Sequence, residues 1–230
     1  MHLLQKIFKQ EKTISIKTDR IVILYIFVIL LACIKQLYGV RYHLDLPFFD
    51  ESDYLKKGFF LDKQAFNDWG PSYNLWYYLI SKLSNNAVQT FYLNYCILII
   101  LIPILNFILL IRLEINKNLA LILTLLFLMQ PMLSVNFTFV SHFCLIIILT
   151  AFILITYQKE NQSKIIIAFT AAYICMYARQ EFLLIAASIL LVYFIAIFFD
   201  KKIKWSFALV GVCLTILILY FIFGFISFKA

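Results

Sequence analysis

The chain reads as an all-α polytopic membrane protein, and three observations carry that reading. Of its 230 residues, 64% are hydrophobic and 14% charged, with a mean hydropathy of +0.93; soluble domains carry about 25% charged residues. Apolar runs recur at roughly 17 to 25 residues, the length a helix needs to cross the hydrocarbon layer. Basic residues gather in alternate connections between those runs, as expected when Lys and Arg resist translocation.

The first segment, residues 1–40, joins a basic tail to the first apolar run at 21–40. Lys6, Lys9, Lys12, Lys17 and Arg20 lie before or at the start of that run, and Lys35-Gln36-Leu37-Tyr38 closes it instead of a small-residue cleavage site. The run therefore reads as a retained anchor behind a cytoplasmic tail. Residues 41–90 form a long outer loop holding six of the twelve acidic residues: Asp45, Asp50, Glu51, Asp53, Asp62 and Asp68. Inside it, the stretch from Asn74 to Leu83 is too brief to span and rich in aromatic residues. It is expected to be a juxtamembrane amphipathic helix lying at the membrane surface. Further spans are predicted near 91–112, 118–134, 137–157, 164–178, 182–199 and 204–228, about seven in all. Residues 91–230 thus supply helices two to seven of one integrated membrane domain.

Charge sets the orientation. With the N-terminus inside, the inner segments hold the tail's five basic residues together with Arg112, Lys117, Lys159, Lys164, Lys201, Lys202 and Lys204, twelve of the twenty. The net charge of +8 is then a topology signal and calls for no nucleic-acid partner. Trp69 and Trp76 fall at the outer interface and Trp205 at the inner one. The five cysteines, Cys33, Cys96, Cys144, Cys175 and Cys213, are spread one to a helix and read as small apolar packing residues.

Polar residues inside a membrane need partners or a water-filled cavity, so their placement locates chemistry. Asn94, Gln130, Asn136, Ser141, His142, Tyr177, Arg179 and Glu181 all fall at predicted outer helix ends, on the side of the acidic loop. An outward-facing polar cavity roofed by that loop is the simplest arrangement. Glycine-rich phosphate loops, His-Glu-x-x-His and Gly-x-Ser-x-Gly are absent, which removes the support for soluble nucleotide chemistry.

These residues suggest a family. A cytoplasmic N-terminus, one helix, an outward loop carrying Asp50-Glu51, a juxtamembrane helix after Gly70-Pro71 and a later Tyr177-Ala178-Arg179-Gln180-Glu181-Phe182 together resemble the GT-C superfamily of integral membrane glycosyltransferases. The likeness is to the bacterial branch related to protein mannosyltransferases and the aminoarabinose transferase of lipid A. It implies a polyprenyl-phosphate-linked sugar donor, membrane lipids as surroundings, and a glycan, lipid or protein acceptor on the outer face of a bacterial cytoplasmic membrane. It also implies a catalytic aspartate in the first outer loop.

On that resemblance, Asp50 is the general base, with Glu51 beside it. Arg179 stabilises the leaving phosphate, Glu181 orients Arg179, and His142 hydrogen-bonds donor phosphate or acceptor. Glu51 and Asp53 position the acceptor or, in a metal-using variant, bind a divalent cation through oxygen ligands; no obligatory metal or other cofactor is expected. Trp76, Tyr77 and Tyr78 serve either as an interfacial anchor or as faces that stack on sugars. Asp45, Asp62 and Asp68 read as solvation. Arg179 and Glu181 stand two apart and do not share a helical face, so a bare turn between two helices is the competing reading there.

The chain departs from the family in two places. Trp69-Gly70-Pro71-Ser72-Tyr73 stands where many relatives carry a Lys-Pro-Pro-like element, and relatives continue into further helices, so the resemblance implies the N-terminal membrane module alone. Two other classes share this composition: a non-catalytic transporter or flippase-like protein for lipid-linked sugars, and an inactive truncated relative. The transporter would place functional polar groups near mid-membrane, where this sequence has only Asn106 and scattered small polar residues.

Overall fold

The structure, a computed structural model, describes residues 20–39, 50–61, 71–129 and 140–179, together with 182 and 188. Every regular element among them is a helix: α1 (Arg20–Leu37), α2 (Asp50–Phe59), α3 (Pro71–Ser81), α4 (Ala87–Arg112), α5 (Lys117–Leu128), α6 (Val140–Tyr157) and α7 (Asn161–Met176). Three of these, α1, α4 and α6, are long and apolar enough to cross a membrane, which marks the chain as a membrane protein. The predicted span at 204–228, and the one at 182–199 apart from residues 182 and 188, lie outside the described residues, as does the end of the one predicted at 118–134. The described part of that span is the twelve-residue helix α5.

Local chemistry fixes the helix boundaries. Asn86 caps α4 by accepting the Gln89 amide at 2.8 Å, and Asn116 caps α5 by accepting the Asn118 amide at 2.9 Å. Between them the chain reverses through Glu114, whose φ of 61° puts a non-glycine residue in the left-handed region. Pro71 opens α3, where a missing N–H is harmless and a fixed φ suits the first turn.

Pro103 lies inside α4 and cannot donate to the carbonyl four residues back, that of Ile99. The thiol of Cys33 on α1 donates to that same carbonyl at 3.6 Å, so a neighbouring helix supplies a weak bond where the proline removes one.

Cross-helix hydrogen bonds give the relative directions. Tyr25 donates to Asn118 Oδ1 at 2.5 Å near the start of α1 and α5, and Gln36 Nε2 donates to the Leu128 carbonyl at 2.6 Å near their ends. The two helices therefore run parallel. Arg112, at the end of α4, donates to the Thr156 hydroxyl at 3.1 Å and to its carbonyl at 3.2 Å, at the end of α6. Its guanidinium also lies 3.8 Å from the Tyr157 ring centroid. These two helices are parallel as well. Helix α7 returns antiparallel to α6, with Cys144 and Cys175 each donating its thiol to the other's carbonyl, at 4.0 and 3.7 Å.

One end of the bundle is thus built from the starts of α4 and α6 and the end of α7, and α2 and α3 lie across it. Two cores meet along α4. The first joins Ile29 and Cys33 of α1 with Phe107 of α4 and Ala120 and Leu128 of α5. The second joins Tyr54, Tyr73, Tyr77, Phe91, Tyr95, Phe143, Cys144 and Cys175 from α2, α3, α4, α6 and α7. Outward-facing Leu24, Phe27 and Leu31 on α1 and Ile122 and Leu126 on α5 stay exposed, a surface suited to lipid tails.

Candidate functional site at the α2–α3 cap

Helix α2 sorts its residues by face. Glu51, Tyr54, Leu55 and Gly58, at helical spacing, turn inward. Asp53 and Lys56 are exposed, and Asp53 forms an i,i+4 ion pair with Lys57 at 2.5 Å, a surface pair of about 0.3–0.5 kcal/mol. Gly58 permits the close approach of α3, because a β-carbon there would sit 2.7 Å from the Asn74 carbonyl and against the Tyr77 β-carbon.

Helix α3 presents Tyr73, Tyr77 and Ile80 at i, i+4 and i+7 to the interior. The Tyr73 hydroxyl donates to Glu51 Oε1 at 2.6 Å, and the Tyr77 hydroxyl donates to the same oxygen. Asn94, in the second turn of α4, donates from Nδ2 to the Tyr73 oxygen at 3.1 Å and to the Tyr77 oxygen at 2.9 Å. Its Oδ1 accepts the Trp76 indole N–H at 2.7 Å.

The chemistry of the groups sets these directions. An indole N–H only donates, so it must meet the amide oxygen of Asn94. That turns the amide NH₂ towards the phenols, whose own protons are then left for Glu51. Glu51 is 4% exposed and Asn94 is fully buried, so the network lies in a medium where each satisfied bond counts for more than it would in water.

Aromatic packing closes the cage. Tyr54 meets the Tyr73 ring edge-on at 5.2 Å, Tyr73 and Tyr77 are 5.0 Å apart, and Phe143 of α6 lies 5.4 Å from Tyr73 and 5.5 Å from Trp76. Burial pushes both phenols well above their ordinary value of 10.0. The neighbouring Tyr77 and then Glu51 add to the rise at Tyr73, and Glu51 adds to it at Tyr77. Both rings therefore remain protonated donors across the physiological range.

A second joint ties the cap to α7. The Ser72 amide donates to the Tyr177 carbonyl at 3.4 Å, and the Ser72 hydroxyl donates to the Ile174 carbonyl at 3.0 Å. The start of α3 thus satisfies carbonyls that the end of α7 leaves open. Two residues beyond Tyr177, Arg179 is exposed, with its amide bonded to the Cys175 carbonyl at 2.8 Å. His142 sits buried in the first turn of α6, beside Phe143.

Of the residues singled out in the sequence, Glu51, Trp76 and Tyr77 come together in one network, and Arg179 and His142 lie at the same end of the bundle. Asp53 faces away, towards Lys57. Asp50 begins α2, but its side chain lies outside the described residues, as does Glu181. Tyr77 does not present an open aromatic face, since it is fully buried, whereas Trp76 is half-buried with its indole N–H bonded to Asn94.

Tyr73 and Asn94 complete the network; Asn94 stands out in the sequence only as a polar outer helix end, and Tyr73 was not among the candidate site residues. The available signals were the i,i+4 tyrosine pair and an asparagine opening an otherwise apolar helix. Among the described residues no group of three or more His, Cys, Asp or Glu side chains gathers as a metal site would require. Comparison of the chain with known protein families, with curated proteins and with solved structures finds no match.

Proposed function

We propose that the chain is an integral membrane glycosyltransferase of the GT-C type, transferring a sugar from a polyprenyl-phosphate donor to an acceptor at the outer membrane face. In this reading seven helices cross the bacterial cytoplasmic membrane. The N-terminus is cytoplasmic, and residues 41–90 lie outside, with α2 and α3 as the cap of the outer site. The observation that supports it most is the joint between Ser72 and the end of α7, which brings the acidic cap and the segment carrying Arg179 to one end of the bundle.

The proposed chemistry uses two groups. The Asp50 carboxylate takes the proton of an acceptor hydroxyl as that oxygen attacks the anomeric carbon. The bond from the anomeric carbon to the phosphate oxygen breaks, and its electron pair stays on the departing polyprenyl phosphate. Arg179 stabilises the charge that develops there through parallel hydrogen bonds. An exposed arginine at a helix end suits a ligand whose head group arrives from the membrane edge.

The test is transfer in proteoliposomes supplied with a polyprenyl-phosphate sugar and a cell-envelope acceptor fraction. Wild-type protein should release polyprenyl phosphate, and Asp50→Asn should insert normally and release none. Wild-type turnover by Asp50→Asn would remove the assignment. Movement of the intact lipid-linked sugar across the bilayer, without bond cleavage, would replace it with a flippase.

A further inference from the structure

The acidic pair at the start of α2 is divided between two environments. Glu51 is drawn almost wholly out of solvent, while Asp53, two residues on, stays at the surface in a pair with Lys57. Burying a carboxylate is costly unless hydrogen bonds compensate it, and here two phenol O–H groups converge on one of its oxygens. A carboxylate oxygen has two lone pairs, so Oε1 has both acceptor positions occupied and none left for a substrate proton. The donors reach Glu51 from α3, and they are held in turn by Asn94 of α4. One oxygen of α2 therefore gathers three helices.

We infer that Glu51 is a positioning residue: it clasps the first turn of α2 to α3 and α4, and through that turn fixes the backbone of Asp50. Through Oε1 Glu51 acts on the helix, a role that needs no contact with substrate. The part of this inference that concerns Asp50 chemistry rests on the glycosyltransferase reading, whereas the clasp itself does not.

Full-length protein in lipid nanodiscs, carrying Trp69→Phe and Trp205→Phe so that Trp76 is the sole tryptophan, provides two direct readouts. These are amide hydrogen exchange over residues 51–61 and Trp76 emission, which senses the far end of the same network. Glu51→Gln keeps an oxygen at the Oε1 position for both phenols, so exchange should stay within about threefold of wild type and the emission should not move. Glu51→Ala should speed exchange of α2 by about tenfold or more and shift the Trp76 emission.

Tyr73→Phe/Tyr77→Phe keeps both rings and removes both donors, and it should reproduce the Glu51→Ala effect even if the alanine variant does not fold. Adding Glu51→Gln to that double variant should change exchange little further, because one interaction has already been removed. A Glu51→Gln variant as loose as Glu51→Ala would overturn the inference, since charge would then be the feature that matters. Unchanged α2 exchange in the double phenylalanine variant would overturn it as well.

Decaprenyl phosphate titrated into the same nanodiscs separates the two readings. No binding by the wild type would sink the glycosyltransferase reading, while the exchange data still decide the clasp.

Discussion

Asn94 Nδ2 lies 2.9 Å from the Tyr77 hydroxyl, and that bond joins the cap to the helix shared by both cores. Because Asn94 also accepts from Trp76 and donates to Tyr73, its amide is the hub from which every proton direction in the network follows. Asn94→Leu, similar in size and without polar atoms, should therefore cost about 2–4 kcal/mol by orphaning the Trp76 donor and weakening both phenols. Thermal unfolding in detergent, followed by near-ultraviolet circular dichroism, measures it.

Gly58 offers a second test. Any β-carbon there meets the Asn74 carbonyl at 2.7 Å, and a helix backbone is not the flexible end of a side chain. Gly58→Ala should push α2 off α3 at a cost of about 1–3 kcal/mol, despite the better helix propensity of alanine. Limited proteolysis between α2 and α3 should become faster, and protection equal to wild type would show that the helices can separate without loss.

The alkaline limb of stability carries its own expectation. Tyr73 and Tyr77 have folded-state values raised above 10.0, so below that pH both folded and unfolded chains hold these protons and the clasp contributes in full. As pH climbs past 10, the unfolded chain releases them first, and stability falls with rising pH. Absorbance at 295 nm should place Tyr73 and Tyr77 among those of the fourteen tyrosines that resist ionisation until the protein unfolds. In Tyr73→Phe/Tyr77→Phe that resistant fraction should fall by two tyrosines.

Cys33 and Pro103 should be coupled. Restoring an N–H with Pro103→Ala gives the Ile99 carbonyl an intrahelical partner, which makes the Cys33 thiol redundant as a donor. Cys33→Ala should cost about 0.5–1.5 kcal/mol in the native background and less with alanine at 103, a double-mutant cycle read from unfolding midpoints. Strict additivity would mean that the thiol acts through its volume alone.

The joint between α3 and α7 is tested at Ser72. Ser72→Ala removes the hydroxyl that meets the Ile174 carbonyl and should lower stability by about 0.5–1.5 kcal/mol. In a transfer or lipid-binding assay it should also weaken any function that needs the cap and Arg179 held together. The Ser72 amide bond to Tyr177 survives the change, so the loss should be partial.

Length and hydropathy made α1, α4 and α6 legible, because a run of apolar residues of membrane length has few other uses. The start of α3 was less so. The aromatic pattern suggested a helix from Asn74, whereas the structure starts it at Pro71, a position that fits proline's fixed φ better than the hydrophobic pattern reveals. The same aromatic pattern suggested a face turned to the membrane surface. It could not tell a ring that meets head groups from one that meets a neighbouring helix, and Tyr77 meets Glu51. At the site, Asp50 and Glu51 are adjacent in sequence and chemically alike, so nothing local separates them. Glu51 finds two phenols from a segment more than twenty residues away, and such pairing belongs to the tertiary structure alone.

The distance in sequence between Ser72 and Ile174 is 102 residues, and this gives the molecule a chronology. Synthesis at about 5–20 residues per second leaves Ser72 waiting about 5–20 seconds for its partner carbonyl to emerge. During that interval α3 can meet α2 and α4 but cannot be fastened at its first turn. Closure of the cap is therefore a late event in biogenesis, and a chain stalled before α7 would leave the ribosome with its three long apolar helices inserted and its cap still hinged open.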